Sequence, residues 1–137
     1  MSEKQYVVAG FAVPEGLEQL HGLLDQVRGE HPWLAPRDVM AFETAVIEIA
    51  GNVVEHDASA TTWTFTLGVT STGLRGSLAD NGTTFEGDVD SHLPTDPLAE
   101  SGRGLAMAGT LLDELTYERA DGRNHWHMVR TLTPPDA

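Results

Sequence analysis

Residues 36–57 read PRDVMAFETAVIEIAGNVVEHD, and the placement of apolar side chains in this stretch decides the architecture. Phe42, Val46, Ile49 and Val53 recur at intervals of three and four, the spacing of one helical face. At about 100° per residue, Met40, Ile47 and Val54 fall on the opposite side. A helix that is apolar on two sides has to be largely buried. The stretch therefore predicts a buried helix from Pro36 to near Asp57.

Toward the N-terminus, Tyr6–Val13 is a β-rich run stopped by Pro14. Leu17, Leu20, Leu24 and Val27 then predict an amphipathic helix over about 15–29, with Pro14 suited to its first turn. Toward the C-terminus, Ala60–Thr70 alternates, with Trp63, Phe65, Leu67 and Val69 on one face and Thr62, Thr64 and Thr66 on the other. Ser71-Thr72-Gly73 turns the chain into a second strand, Gly73–Asp80. Asn81–Gly102 carries Gly82, Gly87, Pro94 and Pro97 and no strong period, which predicts a loop. Loops of about twenty residues inside a small domain are usually functional or mobile. Leu105–Leu115 reads as a helix, and Leu115–Ala120 with His125–Leu132 as a hairpin around Asp121-Gly122. The order is β-α-α-β-β-loop-α-β-β. In so short a chain the helices cannot form a bundle of their own. The predicted fold class is α/β, a two-layer sandwich with helices packed on one face of a mixed, mainly antiparallel sheet.

The composition narrows function. A chain of 137 residues is expected to form one domain, residues 1–137. Asp and Glu number 21 against 8 Lys and Arg, a formal net charge of −13. Duplex nucleic acid is bound mainly through cations that neutralise phosphates, so no direct nucleic-acid partner is expected. Anionic membrane surfaces are disfavoured on the same ground. There is no cysteine, which excludes disulfides, thiolate metal sites and cysteine nucleophiles. No apolar run approaches the roughly 20 residues of a membrane span, and the first residues lack the pattern of a signal peptide. The expectation is a soluble, cytoplasmic protein.

Three segments carry chemistry. Glu48 and Asn52 lie four apart on one flank of the buried helix, and Glu55 and His56 continue it. They are either solvent-facing residues with local hydrogen bonds or a site. In the second case the Asn52 amide oxygen suits Mg²⁺, and the Glu48 carboxylate can act as a general base. Asp80-Asn81-Gly82 follows a strand directly. It is either an ordinary turn or a carboxylate placed to accept from the exocyclic amine of a base, with Gly82 allowing close approach. Ser101-Gly102-Arg103-Gly104-Leu105 precedes the predicted third helix. It is either a hinge or an anion site made of free amide N–H groups and the Arg103 cation. Neither a P-loop nor a dinucleotide fingerprint is present. His125 and His127 share one face of a strand, either as a polar outer face or as two metal ligands lacking a third. Trp33, between helices, reads as packing or as a partner contact.

Taken in order, these segments resemble the GHKL (Bergerat-type) ATPase and kinase superfamily. Glu48-Ile-Ala-Gly-Asn52 is similar to its N box, Asp80-Asn-Gly82 to its first glycine box, and Gly102-Arg-Gly104-Leu-Ala-Met to its second. The small size, Asn52-Val-Val-Glu-His56 and Leu112-Asp-Glu-Leu-Thr-Tyr117 resemble more narrowly the anti-sigma factor serine/threonine kinases of the RsbW and SpoIIAB type. The resemblance covers about residues 36–132. It implies a Bergerat ATP-binding fold in which Asn52 ligates Mg²⁺, Glu48 is the catalytic base and Asp80 reads the adenine amine. Gly82 would line the adenine pocket, residues 86–101 would form an ATP lid, and Gly102, Arg103 and Gly104 would approach the phosphates. It also implies ATP and Mg²⁺ as cofactors and a homodimer that either holds a sigma factor or phosphorylates a small anti-anti-sigma factor protein. One departure stands out: Thr84 occupies the place of the second glycine often found in the first box.

Two further readings stay open. One is a non-catalytic anti-sigma binding module, responsive to nucleotide or free of it. The other is a detached sensor-histidine-kinase catalytic domain acting in trans, since the chain has no room for a helix pair carrying a phosphoacceptor histidine.

Overall fold

A computed structural model describes residues 4–56, 62–83 and 100–133, with backbone alone for 55–56 and 100–104. Strand β1 (Lys4–Phe11) leads through a 3-10 turn at Pro14–Gly16 into helix α1 (Leu17–Glu30) and then α2 (Pro36–His56). Strands β2 (Thr62–Val69) and β3 (Gly73–Asp80) follow, then α3 (Glu100–Leu111), β4 (Glu114–Ala120) and β5 (Arg123–Thr131). The sheet order is β1-β2-β3-β5-β4, and each of these pairings is antiparallel. The sandwich expected from the sequence is present. Its sheet lies at the antiparallel end of that expectation because the described neighbours include two hairpins, β2–β3 and β4–β5.

The β4–β5 turn forms as Asp-Gly demands. Asp121 and Gly122 both have positive φ, 55° and 74°, the mirror-image turn that matches strand twist. The helical boundaries that differ most are the start of α1 and both ends of α3, which stops at Leu111 so that Leu115 belongs to β4 alone. The first helix opens with the 3-10 turn holding Pro14, so α1 proper starts at Leu17. Helix α3 runs from Glu100 to Leu111, five residues earlier at its start than the apolar period announces. Gly102 and Gly104 are thus inside the first turns of the helix and not ahead of it.

Alternation places one face of the sheet against the helices. Tyr6, Leu67, Gly76, Met128 and Leu115 form one cross-strand row on that face. Two residues further along β3, the next row is Val8, Phe65, Leu78, Trp126 and Tyr117, and the last is Gly10, Trp63, Asp80, Asn124 and Arg119. The first two rows are mainly apolar, and the third ends in three polar residues. His125 and His127 fall on the opposite face.

Helix α2 is the middle of the helical layer, in contact with both α1 and α3. Val39, Phe42, Val46, Ile49 and Val53 are buried under it, as the period required. Its other apolar side is covered only in part, with Ile47 half-buried and Met40 63% exposed. Gly76 decides how closely α2 sits. A Cβ there would lie 3.0 Å from both the Phe42 and Phe65 rings, tighter than ordinary contact, so both rings would have to give way slightly.

The start of α2 is pinned by a buried carboxylate. Asp38 is fully buried. Its Oδ1 accepts from Arg130 Nε (3.1 Å), Arg130 Nη2 (2.9 Å) and Thr133 Oγ1 (3.2 Å), and its Oδ2 from the Thr133 N–H (2.9 Å). Arg130 Nη1 also donates to the Leu111 carbonyl at 2.8 Å, one of the acceptors left open at the end of α3. One guanidinium thus joins α2, α3 and β5.

These anchors fix the direction of α2. Asp38 is tied to Arg130, which pairs with Leu74 at the start of β3, while Phe42 lies on Gly76 in its middle. The helix therefore runs along β3 in the same sense. From Phe42 to Asn52 it advances about 15 Å at 1.5 Å per residue. From Gly76 to Asp80 the strand advances about 13 Å. Glu48 and Asn52 accordingly stand toward the Asp80 end of the sheet.

The Asp38 anchor makes stability sensitive to acid. Burial pushes this carboxyl up, but the hydrogen bonds from Thr133 and Arg130 outweigh burial and hold it below its ordinary value of 3.8. A lowered folded value contributes stability that is complete above the ordinary value and is lost as pH falls through the folded one. Asp38→Ala is expected to cost about 3 kcal/mol near neutral pH, the low end for a broken buried pair because Arg130 keeps some exposure. It should also flatten the loss of stability below about pH 4. Denaturant melts of both proteins across pH 2–7 check this; equal stability and equal acid slope would contradict it.

Candidate functional site

The site is built from the end of β3, the hairpin beside it and the flank of α2. Asp80 is 1% exposed. Its Oδ1 accepts from the Gly82 N–H and from Asn124 Nδ2, both at 2.9 Å, and its Oδ2 from Trp126 Nε1 at 3.2 Å. A buried charge survives only when it is hydrogen-bonded in this way. The strand-end carboxylate and Gly82, joined in the sequence reading, are joined here by a direct bond. The bond between the Asp80 side chain and an N–H two residues on is also what an aspartate turn provides.

Three residues behind Asp80 were not singled out as site residues by their sequence pattern. Asn124 Nδ2 donates to the Thr83 carbonyl at 2.7 Å as well as to Asp80. Asn124 Oδ1 accepts from the Tyr117 hydroxyl and from Arg119 Nη1 (3.1 Å). Arg119 Nη1 also donates to the Gly82 carbonyl at 2.6 Å. Hairpin pairing brings Arg119 opposite Asn124 and Tyr117 opposite Trp126. Counting back from the Asp121-Gly122 turn yields those pairs from sequence. The pairing of Asn124 with Asp80 needs β5 beside β3, which no local signal announces.

On α2, Glu48 and Asn52 are half-buried, one turn apart. Glu48 makes no hydrogen bond to a described residue. Asn52 Nδ2 is buried, and among the described residues it has no hydrogen-bond partner. Such an orphan costs about 1–3 kcal/mol, and a group left in that state in a native fold calls for a ligand or a solvent partner. Rotating the amide exchanges its oxygen and its NH₂. Asn52 is thus able to offer an oxygen to a hard cation or a donor to a phosphate oxygen. On this observation the residues present fit Mg²⁺ and a phosphate.

Gly102, Arg103 and Gly104 lie in the opening turns of α3. The first four N–H groups of a helix lack intrahelical partners and suit an anion. The side chains of Glu55, His56 and Arg103, with Thr84 and residues 86–99 of the expected lid, lie outside the described residues. Among the described residues no group of three or more His, Cys, Asp or Glu gathers as a metal site. Trp33 is 56% exposed and meets His31 edge to face. No helix among the described residues is long and apolar enough to cross a membrane.

Comparison with known proteins places this arrangement. The histidine kinase-like ATPase domain matches residues 12–130. The chain belongs to that family. The family's ATPase domain implies an ATP site, and the GHKL fold expected from the three boxes is the fold found. Among solved structures, the chain resembles the RsbU and RsbW domains of Rv1364c from Mycobacterium tuberculosis, with a TM-score of 0.68 and 17% identity over 94% of this chain. It spans 32% of that longer chain. At such identity the likeness concerns the fold. No curated protein matches the sequence significantly. Within a histidine kinase-like ATPase, the orphaned Asn52 and the carboxylate of Asp80 occupy the same end of one helix–strand pair.

The orphan predicts a trade between stability and binding. Asn52→Leu replaces the unsatisfied amide by an apolar group of similar size. The ligand-free protein is expected to gain about 1 kcal/mol, a rise in Tm of roughly 4 °C. Mg²⁺-dependent nucleotide binding should be lost in the same variant. Thermal melts with and without ATP·Mg²⁺ check both halves; a destabilised variant would contradict the orphan's cost.

Proposed function

We propose that the protein is an anti-sigma factor with ATP-dependent protein serine/threonine kinase activity. In this reading it holds a sigma factor, phosphorylates a small anti-anti-sigma protein and thereby releases it. The observation that carries the reading is the pair on α2: a carboxylate without a described partner, Glu48, one turn from an amide without one, Asn52. Family membership supplies ATP as the ligand class, and the likeness to an RsbW domain supports a partner switch.

The roles follow from residue chemistry. Asp80 accepts from the adenine amine, and Gly82 lets the base approach. Asn52 holds Mg²⁺, which offsets phosphate charge when bound. Gly102 offers an N–H group in the opening turn of α3, Arg103 offers a cation, and Gly104 lets the phosphates approach the helix closely. Glu48 takes the proton of the partner's seryl or threonyl hydroxyl, and that oxygen bonds to the γ-phosphorus. The bond from this phosphorus to the β–γ bridging oxygen breaks, and ADP leaves with its electron pair. On a surface of net charge −13 a basic segment of a sigma factor would be steered inward. The reading takes residues 1–137 as one ATPase domain in a cytoplasmic homodimer. Thr84 in the first glycine box favours the alternative, a binding module without catalysis.

Single-turnover transfer of labelled phosphate to an anti-anti-sigma protein separates the two. Glu48→Gln is expected to bind ATP and the sigma factor as the wild type does, with transfer reduced by roughly 10²–10⁴. A wild type that holds its sigma factor yet transfers nothing leaves the binding module. Transfer at the wild-type rate by Glu48→Gln places the base elsewhere.

A further inference from the structure

We infer that Asn124 is the positioning residue that makes Asp80 selective, fixing which carboxylate oxygen a ligand meets and that it meets an acceptor. The inference rests on the nucleotide reading above and goes beyond it, because it assigns the choice of base to a residue on another strand.

A carboxylate has about four acceptor positions, two on each oxygen. On Asp80, Oδ1 already accepts twice, from the Gly82 N–H and from Asn124 Nδ2. Oδ2 accepts once, from the Trp126 indole. The open position is therefore on Oδ2. A ligand that brings an N–H there is accepted, and one that brings a carbonyl oxygen is repelled. Adenine brings its exocyclic amine. Hypoxanthine, otherwise nearly the same shape, brings an oxygen.

This arrangement holds only while Asn124 keeps its orientation. Its amide has two donors and two acceptor positions, and all four are in use. The donors go to Asp80 and the Thr83 carbonyl, and the oxygen accepts from Tyr117 and Arg119. Turning the amide over would set its oxygen against the Asp80 carboxylate and the Thr83 carbonyl, and its NH₂ against the Arg119 guanidinium. Asn124 is 3% exposed, where unpaired polar groups are costly. Arg119 and Asn124 also hold the Gly82 and Thr83 carbonyls, so the backbone leaving β3 is fixed by the same side chains.

A purely structural amide would support the fold without touching base choice, so the test reads selectivity. ATP·Mg²⁺ and ITP·Mg²⁺, which differ at the exocyclic position, are titrated into wild type, Asn124→Leu and Tyr117→Phe. The wild type is expected to favour ATP by about tenfold or more, the weight of one hydrogen bond to a charged group. Asn124→Leu should lose most of that preference, chiefly through weaker ATP binding, while ITP stays within about twofold. Tyr117→Phe deletes only the hydroxyl that holds Asn124, keeps the ring, and should lower the ratio several-fold if Asn124→Leu does not fold. A ratio unchanged in a folded variant, or both nucleotides weakened in parallel, overturns the assignment. A wild type that binds both equally overturns it while leaving the nucleotide site standing. A wild type that binds neither overturns both.

Discussion

The contact of Phe42 with Gly76 sets the position of everything that follows. Helix α2 rests on the sheet where β3 has no side chain, with the Phe42 and Phe65 rings filling the space a Cβ would take. The Asp38–Arg130 pair holds the start of the same helix against the end of β5. Two anchors on one helix leave it neither rotation nor slip along the strand. The flank bearing Glu48 and Asn52 is thereby presented at the end of the sheet where the polar row of Asp80, Asn124 and Arg119 lies. A larger residue at position 76 would lift the helix, and such overpacking costs roughly 1–3 kcal/mol.

Two asparagines show two opposite treatments of a buried amide in one fold. Asn124 has every donor and acceptor position filled by its own chain. Asn52 has a buried NH₂ with no partner among the described residues. The first is what a rigid framework needs, and the second is what a ligand site needs. Buried unsatisfied groups are uncommon because each costs free energy, so a protein that keeps one carries a reason elsewhere. In the function proposed above, that reason is the nucleotide and its cation.

Much of the fold was legible because its signals are local. The apolar period of α2, the alternation from Trp63 to Val69 and the Asp121-Gly122 turn each determine their element with little help from the rest of the chain. The start of α3 was less legible. Ser101, Gly102, Arg103 and Gly104 are poor helix formers or polar, and only tertiary context makes them the opening turns of a helix. The second apolar side of α2 promised more burial than Met40 receives, since sequence shows which residues are apolar and not how far a neighbour extends. At the candidate site, Glu48 and Asn52 were visible as a spacing within one helix, and Asp80 and Gly82 as a spacing at one strand end. Asn124, Tyr117 and Arg119 were not, because their roles arise from the adjacency of β3 and β5, strands separated by more than forty residues of chain.

The central claim is that the strand-end carboxylate receives the base of an adenine nucleotide. Titration calorimetry of ATP·Mg²⁺ into wild type and Asp80→Asn tests it most directly. The substitution keeps the shape and removes the charge, and hydrogen bonds to charged groups contribute about 1.5–3 kcal/mol. Saturable binding by the wild type is expected, with an affinity lower by roughly ten- to a hundredfold in the variant. Equal affinity in a folded Asp80→Asn protein, or no binding by the wild type, would contradict it.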